Sequence, residues 1–174
     1  MIGFEGKTFR SERLEYRLID ECDRASLREL VSDGSVTEPA GFAPLTDDAG
    51  FEDFFEGLKR NGCGVAVILD GRTIGYVRVF RENMDGYLEY DGRSCVGVGF
   101  VIAGSLHGQG LGTETLAFIT AHLKERFDFV FADAFNDNPA SNRVIVKCGY
   151  RYLENYTMFF EGLCCEKTCH SYVF

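Results

Sequence analysis

The chain has 174 residues, 45% of them hydrophobic, with sixteen Phe, eight Tyr and no Trp. A chain of this length buries about 70% of its unfolded surface, so disordered, collagen-like and low-complexity classes are excluded, and one globular domain over residues 1–174 is expected. The net charge of −9 opposes adsorption to nucleic acid and to anionic lipid and favours a cationic partner, although acidity also serves solubility alone.

No apolar run approaches the roughly 20 residues that cross a bilayer, and the opening "MIGFEGKTFRSERLEYR" carries charge where a secretory signal needs apolar residues. Neither nucleic acid nor membrane is expected as a partner. Seven cysteines, Cys22, Cys63, Cys95, Cys148, Cys164, Cys165 and Cys169, are odd in number and scattered, which suits reduced thiols in the cytoplasm better than a disulfide framework.

In chain order, "TFRSERLEYRLI" sets Phe9, Leu14, Tyr16 and Leu18 against Arg13, Glu15 and Arg17, the period-two mark of a half-buried strand. Asp20 caps a helix with Cys22, Ala25, Leu27, Leu30 and Val31 at helical spacing, and the stretch from Gly34 to Pro44 breaks it. A second helix follows in "TDDAGFEDFFEGLKRNG", capped at Thr46 or Asp47, with Phe51, Phe54, Phe55 and Leu58 on one side and Asn61-Gly62 as its stop. "VAVILDGRTIGYVRVF" is a hairpin through Asp70-Gly71, and "SCVGVGFVI" is a further strand that Gly97 and Gly99 weaken or mark as a close backbone approach. A helix from Thr113 to about Phe127 uses Leu116, Ala117, Ile119, Leu123 and Phe127 as its apolar stripe. "DFVFADAF" is a short buried strand, "PASNRVIVKCG" a short helix ended at Gly149, and the remainder from Tyr150 makes one or two final strands. The sum is an α+β fold around a mixed, mostly antiparallel sheet with a β-α-β crossover in its second half.

Between a strand and a helix lies "HGQGLGTETL", residues 107–116, an arrangement that aims free backbone N–H groups and the positive end of a helix at an anion. No lysine follows Gly112, so it is not a Walker loop. Gly108, Gly110 and Gly112 are spaced two and two, so it is not the Gly-x-Gly-x-x-Gly dinucleotide fingerprint either. Taken alone, such a run also describes an ordinary turn before a helix.

The run His107-Gly108-Gln109-Gly110-Leu111-Gly112 resembles the acetyl-CoA loop of the GNAT N-acetyltransferases. "VGVGFVI" before it is similar to that fold's fourth strand. "NDNPASNRVIVKCGYRYLE" at 136–154 resembles its Asn-x-x-Ser/Ala…Lys-x-Gly-Phe segment, through Asn138, Ser141, Lys147, Gly149 and Tyr150. "FRSERLEYRLI" resembles the opening of the subgroup that acetylates ribosomal-protein N-termini. The resemblance implies a sheet of about six to seven strands with helices on both faces, its fourth and fifth strands splayed at a bulge.

It also implies acetyl-CoA as co-substrate, no metal, and a primary amine as acceptor, either a peptide N-terminus or a small cationic amine. His107, Gly108, Gln109, Gly110, Leu111, Gly112 and Thr113 are then expected on the pyrophosphate. Phe100, Val101 and Ile102 are expected along the pantetheine arm, and Asn138 and Ser141 at its acetyl end. An N–H of Val101 or Ile102 is the expected oxyanion donor.

Transfer to an amine needs a neutral nucleophile, a stabilised oxyanion and a proton for the thiolate. Deprotonating an α-amine of pKa about 7.8 at pH 7 costs about 1 kcal/mol, against about 4.6 kcal/mol for a lysine side chain. Many relatives carry a tyrosine acid where this chain has Ile145, so Ser141 is the expected acid or cofactor contact, with an N-cap as its ordinary reading. The subgroup's Glu is replaced by Gly97, which leaves Glu89 and Asp91 in "NMDGYLEYDGRS" as candidate bases, Glu89 foremost. Tyr150 and Tyr152 are expected to pack. "CCEKTCH" makes a poor zinc site. A small-amine acetyltransferase and a non-catalytic acyl-CoA-binding module remain alternatives, as a monomer or a homodimer, with Phe51, Phe54, Phe55, Phe159 and Phe160 serving core or seam.

Overall fold

The computed structural model describes residues 2–81 and 87–174. The first expected strand is two, β1 (Phe9–Arg10) and β2 (Glu15–Leu18), paired antiparallel with Phe9 opposite Tyr16. Polar Ser11, Glu12 and Arg13 interrupt the alternation there, and the Ser11 N–H closes the turn on the Leu14 carbonyl at 2.9 Å. Asp20 caps as expected: its carboxylate accepts the Cys22 N–H at 2.8 Å, and Asp23 reciprocates to the Asp20 N–H at 3.0 Å. Helix α1 (Arg24–Val31) follows. The segment expected to break it holds a short helix, α2 (Gly34–Thr37), which Asp33 caps.

Asp47 caps α3 (Asp48–Lys59), accepting the Gly50 N–H at 2.8 Å. Phe51, Phe55 and Leu58 are buried on it, and Phe54 lies at the edge of the core against Phe42 and Tyr76. Strands β3 (Gly64–Leu69) and β4 (Arg72–Arg81) meet through Asp70 at φ 49° and Gly71 at φ 77°, a turn whose twist matches that of the strands it joins. Residues 83–86 of the expected loop lie outside the described residues.

Next come β5 (Cys95–Ile102), α4 (Leu111–Lys124), β6 (Phe129–Phe135), α5 (Pro139–Lys147), β7 (Arg151–Phe160) and β8 (Cys165–Val173). Helix α4 starts two residues earlier than expected and ends three short of Phe127, because the left-handed Gly110 caps it. Its buried face is Leu111, Thr115, Leu116, Ile119, Thr120, His122 and Leu123; Ala117, expected in the stripe, faces solvent. Gly149, at φ 90°, ends the α5 region as expected.

The described strands form one eight-stranded sheet in the order β1-β2-β3-β4-β5-β6-β8-β7, with β5 and β6 the parallel neighbours. The count exceeds six to seven because the first strand folds back on itself. Alternation divides the sheet's two faces. Val65, Val67, Val96 and Val98 join α4 and α5 in one core, while Ala66, Ile68 and Val101 join α1 and α3 in the other. Of the phenylalanines weighed as core or seam, Phe51 and Phe55 are core, Phe160 rests edge-on against Phe135, and Phe159 is 55% exposed. Among the described residues no helix is long and apolar enough to cross a membrane.

The sheet opens at one place. Strands β5 and β6 pair only at Cys95–Gly97 with Phe129–Phe131, after which β6 continues with β8. The opening was expected at a bulge, but β5 keeps an unbroken register with β4 from Gly75 opposite Ile102 to Arg81 opposite Val96. The gap arises because β6 turns away, drawn into its ladder with β8.

Beneath α1, the fully buried Asp23 carboxylate receives Arg17 at 2.7 and 2.9 Å. Removing one partner of such a pair strands a buried charge. Arg17→Ala is therefore expected to lower the unfolding free energy by about 3 kcal/mol, measured by urea denaturation at pH 7.

Candidate active site

Where β6 leaves β5, a cleft of about 490 Å³ runs from the opening to the glycine loop. Its wall is Phe100, Val101 and Ile102 from β5; its mouth is His107, Gly108, Gly110, Leu111, Gly112 and Thr113; its far side is Asn138, Ala140, Ser141, Arg143, Val144 and Lys147. Ser35, Val36, Pro39 and Ala40 close it from the α2 end.

Which β5 amides face the cleft follows from the ladder. The Ala103 N–H donates to Ile74 at 2.8 Å, so the two-residue period turns Val101 toward β4 and Phe100 and Ile102 toward the opening. Of the two expected oxyanion donors, Ile102 is thus available; the Val101 N–H is taken by β4. The Ile102 carbonyl meets His107 Nε2 at 2.9 Å, so this ring nitrogen is spent on the strand end.

The loop is shaped by conformation more than by clearance. Gly108 and Gly110 hold φ of 78° and 81°, which L side chains rarely adopt, and a Cβ on Gly108 would meet no atom within 4 Å. Gly112 is different: a Cβ there would press on Phe100 at 3.4 Å. Helix α4 has no side-chain cap, whereas Asp47 and Asn138 cap α3 and α5. The first N–H groups of α4 therefore stay free at the positive end of a 14-residue helix, an anion site.

Asn138 caps α5, accepting the Ser141 N–H at 3.1 Å and donating Nδ2 to Ser141 Oγ at 3.0 Å. The N-cap reading of Ser141 is thus overturned: Asn138 is the cap, Ser141 is the third residue of α5, and its hydroxyl oxygen accepts from Asn138 Nδ2. Asn142 ties the same corner down, donating to the carbonyls of Phe135 and Asn138 while its own oxygen takes His170 at 2.9 Å and Tyr172 at 2.6 Å.

A bare helix start and a glycine loop beside an opened strand edge offer backbone donors suited to an anion and to an extended chain. The GNAT acetyltransferase domain model matches residues 13–151. The chain belongs to the GNAT acetyltransferase family. Members of this family take the acetyl group from acetyl-CoA. The fold is similar to that of a GNAT acetyltransferase from Bacillus anthracis (TM-score 0.79, 19% identity, 97% of this chain and 98% of that one). It is also similar to spermidine N-acetyltransferase from Vibrio cholerae, solved with CoA and spermine (0.76, 13%, 94% and 96%), and to ribosomal-protein-alanine N-acetyltransferase from Brucella melitensis (0.71, 16%, 91% and 98%). Among curated proteins none matches the chain in sequence.

In this GNAT chain, Gln109 is the expected loop residue outside the cleft lining; its carbonyl accepts from Arg13 at 3.0 Å. Arg13 in turn meets Glu114, in the first turn of α4, at 2.7 Å, and Glu114 also takes the Ser11 hydroxyl and the Arg13 N–H. This clamp between the N-terminal turn and the loop has no signal in the sequence, since its partners are about 100 positions apart. Arg143 and Lys147, one turn apart on α5, line the cleft and put cations beside it in an otherwise acidic chain; their i, i+4 spacing was readable.

Glu89 pairs with Arg151 at 2.8 Å and is outside the cleft lining. Tyr150 packs as expected, its hydroxyl on Thr120 at 2.7 Å, but Tyr152 is 53% exposed and sets its ring across from His170 and Tyr172. In the terminal cluster, alternation places Cys169 and His170 on opposite faces of β8. The one group of three metal-ligating side chains found among the described residues is Asp20, Cys22 and Asp23, whose Asp23 is held by Arg17.

Burial alone would raise the Glu114 carboxyl, but hydrogen bonds from Ser11 and Arg13 outweigh it and lower it from the ordinary value. A depressed carboxyl stabilises fully at neutral pH, and the contribution is lost as pH falls through the folded value. Glu114→Gln is therefore expected to lower the thermal midpoint at pH 7, with the gap to the parent closing below about pH 4. Gly110→Ala forces an alanine into the left-handed region at a cost of about 1–2 kcal/mol; calorimetric titration with CoA is expected to show binding at least about tenfold weaker.

Proposed function

We propose that the chain, acting as one domain over residues 1–174, is an acetyl-CoA-dependent N-acetyltransferase whose acceptor is a cationic primary amine. The observation that carries this reading is the coincidence, in one cleft, of the uncapped start of α4 with the unpaired edge of β5. Loop residues 108–113 offer main-chain N–H groups and a helix dipole to the pyrophosphate, with Arg143 and Lys147 supplying positive charge nearby. Phe100 and Ile102 offer both a donor and an acceptor to an extended amide chain, as an added strand would use them.

The thioester supplies an activated acetyl group. The Ile102 N–H, aimed into the opening, is suited to hold the carbonyl oxygen as it gains charge. The Ser141 hydroxyl, fixed by Asn138 Nδ2 and left with its proton free, is suited to protonate the departing sulfur where relatives use a tyrosine. Glu89, the expected base, is paired with Arg151 and lies outside the cleft lining, so it is given no catalytic role.

On the far side of Ser35, Pro39 and Asn138, a second cavity of about 720 Å³ is lined by α2, the start of α5 and the β7–β8 turn. It lies where an acceptor would approach; Asp137 on its wall is paired with Lys167 at 2.7 Å, and Glu38 adds a negative charge. The V. cholerae enzyme's spermine and the B. melitensis enzyme's protein substrate are both cationic amines, and the opening "FRSERLEYRLI" supports the second kind. The odd number and scatter of the seven cysteines support a cytoplasmic location.

The test is thiol release from acetyl-CoA with an alanine-starting peptide, spermidine and kanamycin as acceptors. Release with at least one of them is expected, and CoA binding without any turnover would favour a binding module. Ser141→Ala is expected to lower kcat by about 10²-fold while CoA affinity in calorimetry stays within about twofold.

A further inference from the structure

Neither the apolar clusters nor the acetyl-CoA cleft takes up the adjacent pair Cys164-Cys165. Strand β7 ends in a single helical turn, Glu161–Leu163, after which Cys164 takes a left-handed conformation at φ 52° and Cys165 opens β8. That region suits glycine, and Asp70 is the one other non-glycine residue described in it. Neighbours within a strand face opposite ways, but this bend brings both cysteines to the wall of the second cavity. Both thiols are free, Cys164 exposed and Cys165 half-buried. The Cys164 thiol donates to the Glu161 carbonyl at 3.4 Å.

The turn is fastened to the opposite side of that cavity. The Ala43 N–H donates to the Gly162 carbonyl at 2.9 Å, and a Cβ on Gly162 would meet Phe42 Cα at 3.1 Å. Phe42 and Ala43 follow the α2 region, whose Ser35 and Pro39 line both this cavity and the acetyl-CoA cleft. Lys167 bonds Asp137 at 2.7 Å, and Cys165 lies near enough to act on its ammonium, so a cation stands beside this sulfur. Cys169, the next cysteine, is buried.

We propose that Cys164 and Cys165 are an oxidation site for peroxides, closing to a disulfide within the turn and reshaping the cavity through which the acceptor enters. The effect on the acceptor rests on the transferase reading above; the thiol chemistry stands apart from it. The Cys165 sulfur attacks one oxygen of hydrogen peroxide, the O–O bond breaks, and the leaving hydroxide takes the thiol proton as water, giving a sulfenic acid. Cys164 attacks that sulfur, the S–S bond forms as the S–O bond breaks, and its proton leaves with the hydroxyl as a second water. Two thiols have lost two electrons to one peroxide.

Cα atoms across a trans peptide lie about 3.8 Å apart, inside the roughly 4.4 Å lower limit of ordinary disulfides. A disulfide between neighbours is therefore strained, and cellular thiols reopen it by exchange. Drawing the two sulfurs together also displaces the turn, and with it the Gly162 carbonyl that holds Ala43.

Peptide mapping after brief treatment with hydrogen peroxide is expected to show the segment with Cys164 and Cys165 lighter by a pair of hydrogens, closed to alkylation and restored by dithiothreitol. In Cys164→Ser, dimedone is expected to trap the sulfenic acid at Cys165. A pair that stays reduced, or that reaches sulfinic acid without the disulfide, overturns the site. Oxidation is expected to shift the Phe42 and Ala43 amides in ¹⁵N–¹H spectra, and unchanged amides overturn the reshaping. For an acceptor that the parent acetylates, peroxide is expected to raise KM about fivefold or more with CoA affinity within about twofold, whereas Cys165→Ser keeps the same KM before and after. An unchanged KM in the parent overturns the effect on the acceptor. If the parent acetylates none of the three acceptors, the transferase reading fails separately, and the peptide map and the amide shifts decide the oxidation site.

Discussion

Beyond Gly97 and Phe131, two neighbouring parallel strands stop sharing hydrogen bonds, and the rest of the molecule is arranged around that loss. Backbone donors and acceptors in a sheet are satisfied by the next strand, and leaving them open is costly unless another group takes them. Strand β6 is satisfied by β8 and strand β5 by β4, so each is held firmly from its outer side. The inner edge of β5 at Phe100 and Ile102 is left for an extended ligand to complete.

The same logic governs the helix ends. Helices α3 and α5 cap themselves with Asp47 and Asn138, while α4 begins at a left-handed glycine with nothing over its first amides. Side chains cap the starts of α2, α3 and α5, whereas the start of α4 is left to its backbone N–H groups, an arrangement suited to an anion. The Arg13–Glu114 clamp matters here, because it holds the Gln109 carbonyl between two glycines that have no side chain to anchor the loop. Ser141 shows a related economy: Asn138 caps the helix and, with the same side chain, orients the hydroxyl.

The two faces of the opening then divide the labour. One face, sealed by α4 and α5, presents the glycine loop, the cations of α5 and Ser141. The other carries the apolar clusters of α1 and α3 and of Tyr90, Phe131 and Val173, with the Tyr156 hydroxyl donating to Asp133.

Much of this was legible in the order of the residues. Hairpin and helix signals at Asp70-Gly71, Asp20, Asp47 and Gly149 depend on local backbone preferences, so the sequence carries them in full. The glycine loop and the Asn138–Ser141 pair were legible for the same reason. What tertiary structure alone decided are relations between distant segments. Whether Val101 or Ile102 turns its N–H to the cleft depends on the register with β4. Arg13 finds Glu114, and Arg151 neutralises Glu89, only after the sheet has formed. Asp133 reads in sequence as one polar residue in a buried strand, and comes level with Gly99 only because β6 runs beside β5 before parting from it two residues earlier. Local chemistry is written along the chain, whereas the pairing of strand edges is settled by competition among strands.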